Sequence, residues 1–183
     1  MNAFRIDGQR AVITGGGSGL GFGIAKVFIE AGAEVIIIGR NEEKLRGAQQ
    51  QLGERCSYRA FDVTQLDKIP ALVEEIGTVD ILVNCAGTHL KKWALDVTDA
   101  EFLDVMNVHV TSVFALSREF ARLMVERGKG SIILNQFDGS SYGLGADSGL
   151  YHRQDSCSRS AAQSRGRTFA QRHSHQYHST WMD

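Results

Sequence analysis

The chain has almost no net charge, few cysteines and no long apolar run, and each shortage removes a class of protein. A formal net charge of -1 at pH 7 gives no general electrostatic case for nucleic acid or an anionic membrane as partner. Cys56, Cys85 and Cys157 are so few and so far apart that neither a disulfide framework nor a zinc site is indicated. No apolar run approaches a membrane span, and the start Met1-Asn2-Ala3-Phe4-Arg5 lacks the layout of a signal peptide. The expectation is a cytoplasmic protein without membrane, nucleic acid or metal. Its 183 residues suffice for one domain with a real core.

What the chain does have is glycine in one telling place. The run Thr14-Gly15-Gly16-Gly17-Ser18-Gly19-Leu20-Gly21 follows the apolar stretch Ala11-Val12-Ile13 and opens onto the amphipathic segment Phe22 to Ala31. A buried strand, a tight turn and a helix start in that order bring backbone N–H groups close to an anion, as a dinucleotide pyrophosphate requires. Gly15, Ser18, Gly19, Leu20 and Gly21 are therefore candidate cofactor-binding residues. The alternative is a purely structural turn.

Strand-like runs at Ala11 to Thr14, Glu34 to Gly39, Ser57 to Asp62, Ile81 to Asn84 and Ser131 to Leu134 alternate with helical patterns. The helices are expected from Gly19, from Asn41 as N-cap, around Ile69 to Ile76, and from Asp99 to Arg127. Strand and helix repeated in this way predict an α/β fold, a doubly wound parallel sheet with right-handed crossovers. Ligands bind at the carboxyl ends of such strands, where the candidate motifs lie. Arg40 stands at the end of the second strand, where an acidic residue would accept hydrogen bonds from an adenosine ribose. A guanidinium suits a 2′-phosphate there, which favours NADP over NAD unless Arg40 is a solvated surface residue.

Gly15, Gly19 and Gly21 do not follow the G-x-G-x-x-G spacing. With Thr14 in front, they resemble the short-chain dehydrogenase/reductase family. Asn84-Cys85-Ala86-Gly87 resembles that family's N-N-A-G motif with Cys85 replacing the second asparagine. Asp62-Val63 after the third strand and Asn107 in the long helix also fall where the family has them. The resemblance covers Phe4 to Leu134 and implies an NAD(P)-dependent oxidoreductase acting on a small-molecule alcohol or ketone, as a homo-oligomer where the family's full length is present. It implies adenine contacts for Asp62 and Val63, although a helix-capping aspartate competes. It places Asn84, Ala86 and Gly87 near the cofactor ribose, where an ordinary strand-to-loop turn is the alternative. It makes Asn107 the asparagine of the family's Asn-Ser-Tyr-Lys set, supporting a proton-relay water. A buried asparagine with a structural role is the other reading. His109 reads as a packed helix residue.

After Leu134 the text changes. Residues 135–183 contain no Val, Ile, Lys or Pro and two leucines, amid Ser, Arg, Gln and His. So little apolar surface cannot offset the entropy of ordering the segment, and composition predicts a disordered tail, so that the sheet is truncated after its fifth strand. His173, His175 and His178 could be drawn as a metal cluster, but they lack a scaffold. The tail's arginines are nearly balanced by Asp138, Asp147, Asp155 and Asp183. Tyr151 is followed four residues later by Asp155, whereas the family has Tyr-x-x-x-Lys.

Reading the back-translated tail one base later restores the missing pattern. Asn135 to Gly139 can yield Ile-Ser-Ser-Met, and Leu150 to Asp155 can yield Tyr-Thr-Thr-Ala-Lys. Trp181-Met182 leaves no codon choice and must yield Gly-Trp. The tail is therefore expected to be a frameshifted reading of a short-chain dehydrogenase gene, shifted at or just after Leu134. The chain as written then lacks the family's serine, tyrosine and lysine. Rival outcomes are a nucleotide-binding remnant and a poorly folded product. Sequencing the DNA across codons 130 to 140 and onward tests this. The shifted frame should be open and spell the serine, Tyr-x-x-x-Lys and Asn-x-x-x-Pro-Gly segments, whereas repeated stops in that frame would end the reading.

Overall fold

The computed structural model describes residues 5–135. The expectations for the tail, including those on Tyr151, Asp155, Cys157 and the three histidines, lie outside the described residues. The elements are β1 (Arg10–Thr14), α1 (Gly19–Glu30), β2 (Glu34–Gly39), α2 (Glu42–Leu52), β3 (Cys56–Ala60), α3 (Ile69–Ile76), β4 (Ile81–Asn84), α4 (Asp99–Met106), α5 (Ser112–Glu126) and β5 (Ser131–Leu134). The strands form one parallel sheet in the order β3-β2-β1-β4-β5. This is the doubly wound α/β arrangement, and no described helix is long and apolar enough to cross a membrane.

The apolar runs are continuous because both sheet faces are covered. Alternate residues point to opposite layers. Val12, Ile36, Ile38 and Leu82 pack with Ile69 and Leu72 of α3 and Leu116, Phe120 and Met124 of α5. Ala11, Ile13, Val35, Ile37 and Val83 pack with Ala25 of α1 and Leu45 and Ala48 of α2. The local signals agree with this placement. The Asn41 side chain accepts a hydrogen bond from Lys44 N at 2.8 Å, capping α2, and Glu42 and Glu43 oppose the helix dipole in its first turn. Thr98 and Glu101 form a reciprocal capping box at the start of α4. That box and a salt bridge from Lys92 hold the Glu101 carboxyl at a pKa of about 2.

Three expectations change. Strand β3 ends at Ala60, because Phe61 N makes the last bond, to Gly39 O at 2.8 Å, before the chain turns. Asp62 Oδ1 then accepts from Thr64 N at 3.0 Å and Thr64 Oγ1 at 2.8 Å, so the aspartate builds a turn rather than capping a helix. The single helix expected over Asp99 to Arg127 is interrupted by a π-helical turn at Asn107–Thr111. There Ser112 N–H donates five residues back to the Asn107 carbonyl, and the Ser112 hydroxyl donates at 2.6 Å to the Val108 carbonyl that a regular helix would have paired with that amide. Finally, Asn107 is exposed rather than buried. Strand β5 is the edge of the described sheet, with Ile132, Ile133 and Leu134 between 36% and 53% exposed.

At the amino ends of the strands, Asp80 clasps three elements. Its Oδ2 accepts from Arg10 N at 3.0 Å, and its Oδ1 meets Arg127 Nη2 at 2.6 Å and Lys129 Nζ at 3.4 Å. The Arg10 amide, with Arg127 and Lys129, holds the Asp80 carboxyl below its usual pKa despite partial burial. Hydrogen bonds to a charged group contribute roughly 1.5–3 kcal/mol, so Asp80→Ala should lower stability by about that amount. The folded pKa is depressed, so this contribution is fully present above the unfolded value near ~3.9 and is lost as pH falls through the folded value. Urea melts of both proteins should converge in acid below that point; a gap unchanged down to pH ~2 would contradict the role of the charge.

Candidate functional site

Four strand ends converge on one cleft, and a buried hydroxyl fixes its floor. Thr14, the last residue of β1, is 1% exposed. Its Oγ1 accepts from Cys85 N at 2.9 Å and from Ala86 N at 3.0 Å. The glycine turn after β1 and the loop after β4 are thereby tied together. Gly15 lies over that junction at φ +72°, donating its N–H to Ile38 O at 2.7 Å. A Cβ on Gly15 would stand 3.0 Å from the backbone of Cys85 and Ala86, and one on Gly21 would collide with the Gly15 carbonyl oxygen. The turn, the helix start and the second loop can approach this closely only because both positions are glycine.

The cleft encloses about 200 Å³. It is lined by Gly15, Gly17 and Ser18 after β1, and by Gly39, Arg40, Asn41, Lys44 and Leu45 after β2. Phe61, Asp62 and Val63 follow from β3, Ala86 and Gly87 from β4, and Val108 from the π turn. Ser18 is the extended N-cap of α1, yet its hydroxyl makes no capping bond, so it faces the cleft with its donor uncommitted to the helix. Arg40 and Lys44 place two cations at the same end, and the nearby Glu42 carboxylate is engaged by Arg46 at 3.0 Å. An anionic ligand with a phosphate at each of these places fits this distribution of charge and backbone donors.

Of the residues expected from sequence, Gly15, Ser18, Arg40, Asp62, Val63, Ala86 and Gly87 line the cleft together. Gly19, Leu20 and Gly21 do not: Gly21 is buried under the turn, and Leu20 is 62% exposed. The Asn84 side chain is buried beneath the site, where its Nδ2 donates to Ser117 Oγ at 3.1 Å and its Oδ1 has no hydrogen-bond partner among the described residues. Asn107 stands one residue from the lining Val108, accepting from Thr111 Oγ1 at 3.4 Å. Cys85 lies beside the junction, and burial pushes its thiol pKa up, so it is not an activated thiolate. Sequence reasoning passed over Lys44 and Phe61 as lining residues. Lys44 lies on the first turn capped by Asn41, and nothing in the sequence marks which side of that turn faces the cleft.

Residues 9–143 match the short chain dehydrogenase family. The chain belongs to that family. It is 41% identical over 134 residues to galactitol 2-dehydrogenase (L-tagatose-forming) of Cereibacter sphaeroides, covering 71% of this chain and 53% of that protein. It is 35% identical over 137 residues to gluconate 5-dehydrogenase of Gluconobacter oxydans, covering 71% and 54%. Among solved structures, a gluconate 5-dehydrogenase from Burkholderia cenocepacia in complex with NADP and tartrate superposes with a TM-score of 0.64 at 35% identity, covering 72% of this chain and 54% of that one. The chain thus spans about half the length of the curated relatives it matches. The family match runs to residue 143, past the Leu134 at which the composition changes.

Thr14→Val should expose how much the junction matters. It keeps the volume but leaves the Cys85 and Ala86 amides without their shared acceptor, at about 1–3 kcal/mol for each group left unsatisfied. Thr14→Ser should retain most of the stability in urea melts. A valine variant as stable as the parent would show that the hydroxyl is dispensable.

Proposed function

We propose that this chain is the nucleotide-binding half of an NADP-dependent oxidoreductase that interconverts a secondary alcohol and a ketone. The observation that carries the reading is the pairing of Arg40 and Lys44 at one end of a cleft whose centre is the Thr14–Ala86 junction. Backbone donors at Gly15 to Ser18 suit the pyrophosphate, and the two cations suit a 2′-phosphate. Asp62 and Val63 then face the adenine, with Ala86 and Gly87 toward the second ribose. A nicotinamide dinucleotide held there supplies hydride transfer. The relatives named for galactitol and gluconate support a small polyhydroxy compound as substrate of the full-frame parent.

The chain as written is catalytically silent on this reading. It keeps Asn107, which would support a proton-relay water, but no Tyr-x-x-x-Lys occurs in it, and Tyr151 is followed by Asp155. A carboxylate there raises a phenol's pKa, where an ammonium would lower it. Without a positioned acid, about 10²–10⁴ in rate is forfeited from proton transfer alone. Restoring the frame after Leu134 supplies the serine, tyrosine and lysine.

Equilibrium titration of the 183-residue chain with NADPH and NADH tests the cofactor. NADPH should bind more tightly, and Arg40→Asp should remove most of the preference, since a charge-assisted hydrogen bond contributes roughly 1.5–3 kcal/mol. Equal affinity for both cofactors, unchanged by the substitution, would refute the role given to Arg40. With NADP+ supplied as hydride acceptor in place of NADPH, only the frame-restored protein should oxidise a polyol or sugar acid, reducing NADP+ to NADPH. Clear turnover by the 183-residue chain would overturn its proposed silence.

A further inference from the structure

Glu42 carries the wrong sign of charge for a phosphate site, and two side chains hold it aside. It lies two positions after Arg40 and two before Lys44, the cations at one end of the cleft. As the first residue of α2 it opposes the helix dipole, which is reason enough for an acid there. A loose carboxylate at that spacing would also pair with Arg40 or Lys44 and neutralise the charge offered to an anion. Yet Asn41, Lys44 and Leu45 line the cleft and Glu42 does not. Its Oε1 accepts from Arg46 Nη2 at 3.0 Å, one turn along the helix, and from the Tyr58 hydroxyl at 3.3 Å. Tyr58 belongs to β3 and packs against the same core layer as Leu45 and Ala48 of α2. The Tyr58 oxygen and the Glu42 carboxylate both raise the pKa of Arg46, so its guanidinium faces the pair. Arg46 alone would make an ordinary surface pair within one helix, which contributes little. A second donor from another element, converging on the same oxygen, fixes where the carboxylate goes.

We propose that Arg46 and Tyr58 are positioning residues for cofactor choice. They draw the Glu42 carboxylate away from Arg40 and Lys44, leaving both cations for a 2′-phosphate. This inference rests on the nucleotide reading given above. Neither residue touches the nucleotide, and each acts through Glu42. Once released, Glu42 competes with the 2′-phosphate for Arg40 and repels it. NADH carries a hydroxyl at that position, which a carboxylate does not repel, so the release falls on NADPH alone. A merely structural pair would affect both cofactors alike.

The test is equilibrium titration of the full 183-residue chain with NADPH and NADH at low ionic strength, where exposed charges are least screened. Arg46→Gln should weaken NADPH about threefold and leave NADH within about 1.5-fold. Tyr58→Phe, which removes only the hydroxyl, should weaken NADPH about twofold, and an unchanged affinity would overturn the part given to Tyr58. Removing Arg46 also subtracts a nearby positive charge, so the deciding variant combines Arg46→Gln with Glu42→Gln. It should return to within about 1.5-fold of Glu42→Gln alone, whereas Arg46→Gln with Glu43→Gln should stay weak. Equal rescue by the Glu42 and Glu43 changes would show an effect of net charge and overturn the tether. Unchanged NADPH affinity in Arg46→Gln, or equal losses for NADPH and NADH, would overturn it too. Those three results leave the nucleotide reading standing. A parent chain that binds NADPH no better than NADH removes the 2′-phosphate site and this inference with it. One that binds neither removes the whole nucleotide reading as well.

Discussion

The organisation of the cleft depends on the Thr14 hydroxyl, an oxygen shared by two backbone amides. It sits where β1 stops being a strand, and its acceptor capacity is spent on the first two residues that β4 can no longer pair. A parallel sheet leaves such amides facing outward at every carboxyl end, and burying them unpaired is costly. Satisfying them from β1 fixes the distance between the glycine turn and the second loop. The glycines around that junction follow: Gly15 must lack a Cβ, and Gly21 must tuck beneath it. The opposite edge of the sheet has its own fixed point in Asp80, which gathers β1, the turn into β4 and the segment after α5. One end is secured by charge, leaving the other free to be shaped for a ligand.

Much of this was legible in the sequence because it is carried by repeated, local signals. Strands β2, β4 and β5 have the expected bounds, since each is an apolar run closed by a glycine, an asparagine or a change of composition. The Asn41 cap was readable from residue type alone. The glycine turn was readable because its context, strand before and helix after, is as informative as its residues. Arg40 was placed in the cleft by counting to the end of a strand.

What was not legible depends on single residues or on distance. A π turn inserts one residue into a helix whose apolar face continues on either side, so periodicity reads straight through Asn107. The end of β3 is set by the partner strand β2, which has no residue beyond Gly39 to pair with Asp62. Asn84 shares a motif with Ala86 and Gly87, but it is the last residue of β4 and its side chain bonds Ser117 of α5, whereas Ala86 and Gly87 lie past the strand's end and line the cleft. The bond from His109 to Thr88 joins residues 21 positions apart, and nothing in either's local pattern announces it. Lys44 reaches the cleft from the first turn of α2, and only the fold shows which side of α2 faces in.

We propose that residues 5–135 of this chain carry a nucleotide-binding cleft across the strand ends. Hydrogen exchange of the 183-residue chain with and without NADPH tests it most directly. The account predicts added protection confined to the glycine turn at 15–18, to Arg40 and Asn41, to 61–63 and to Ala86–Gly87, with the amino-end edge around Asp80 unaffected. Protection appearing nowhere, or centred away from these strand ends, would contradict it.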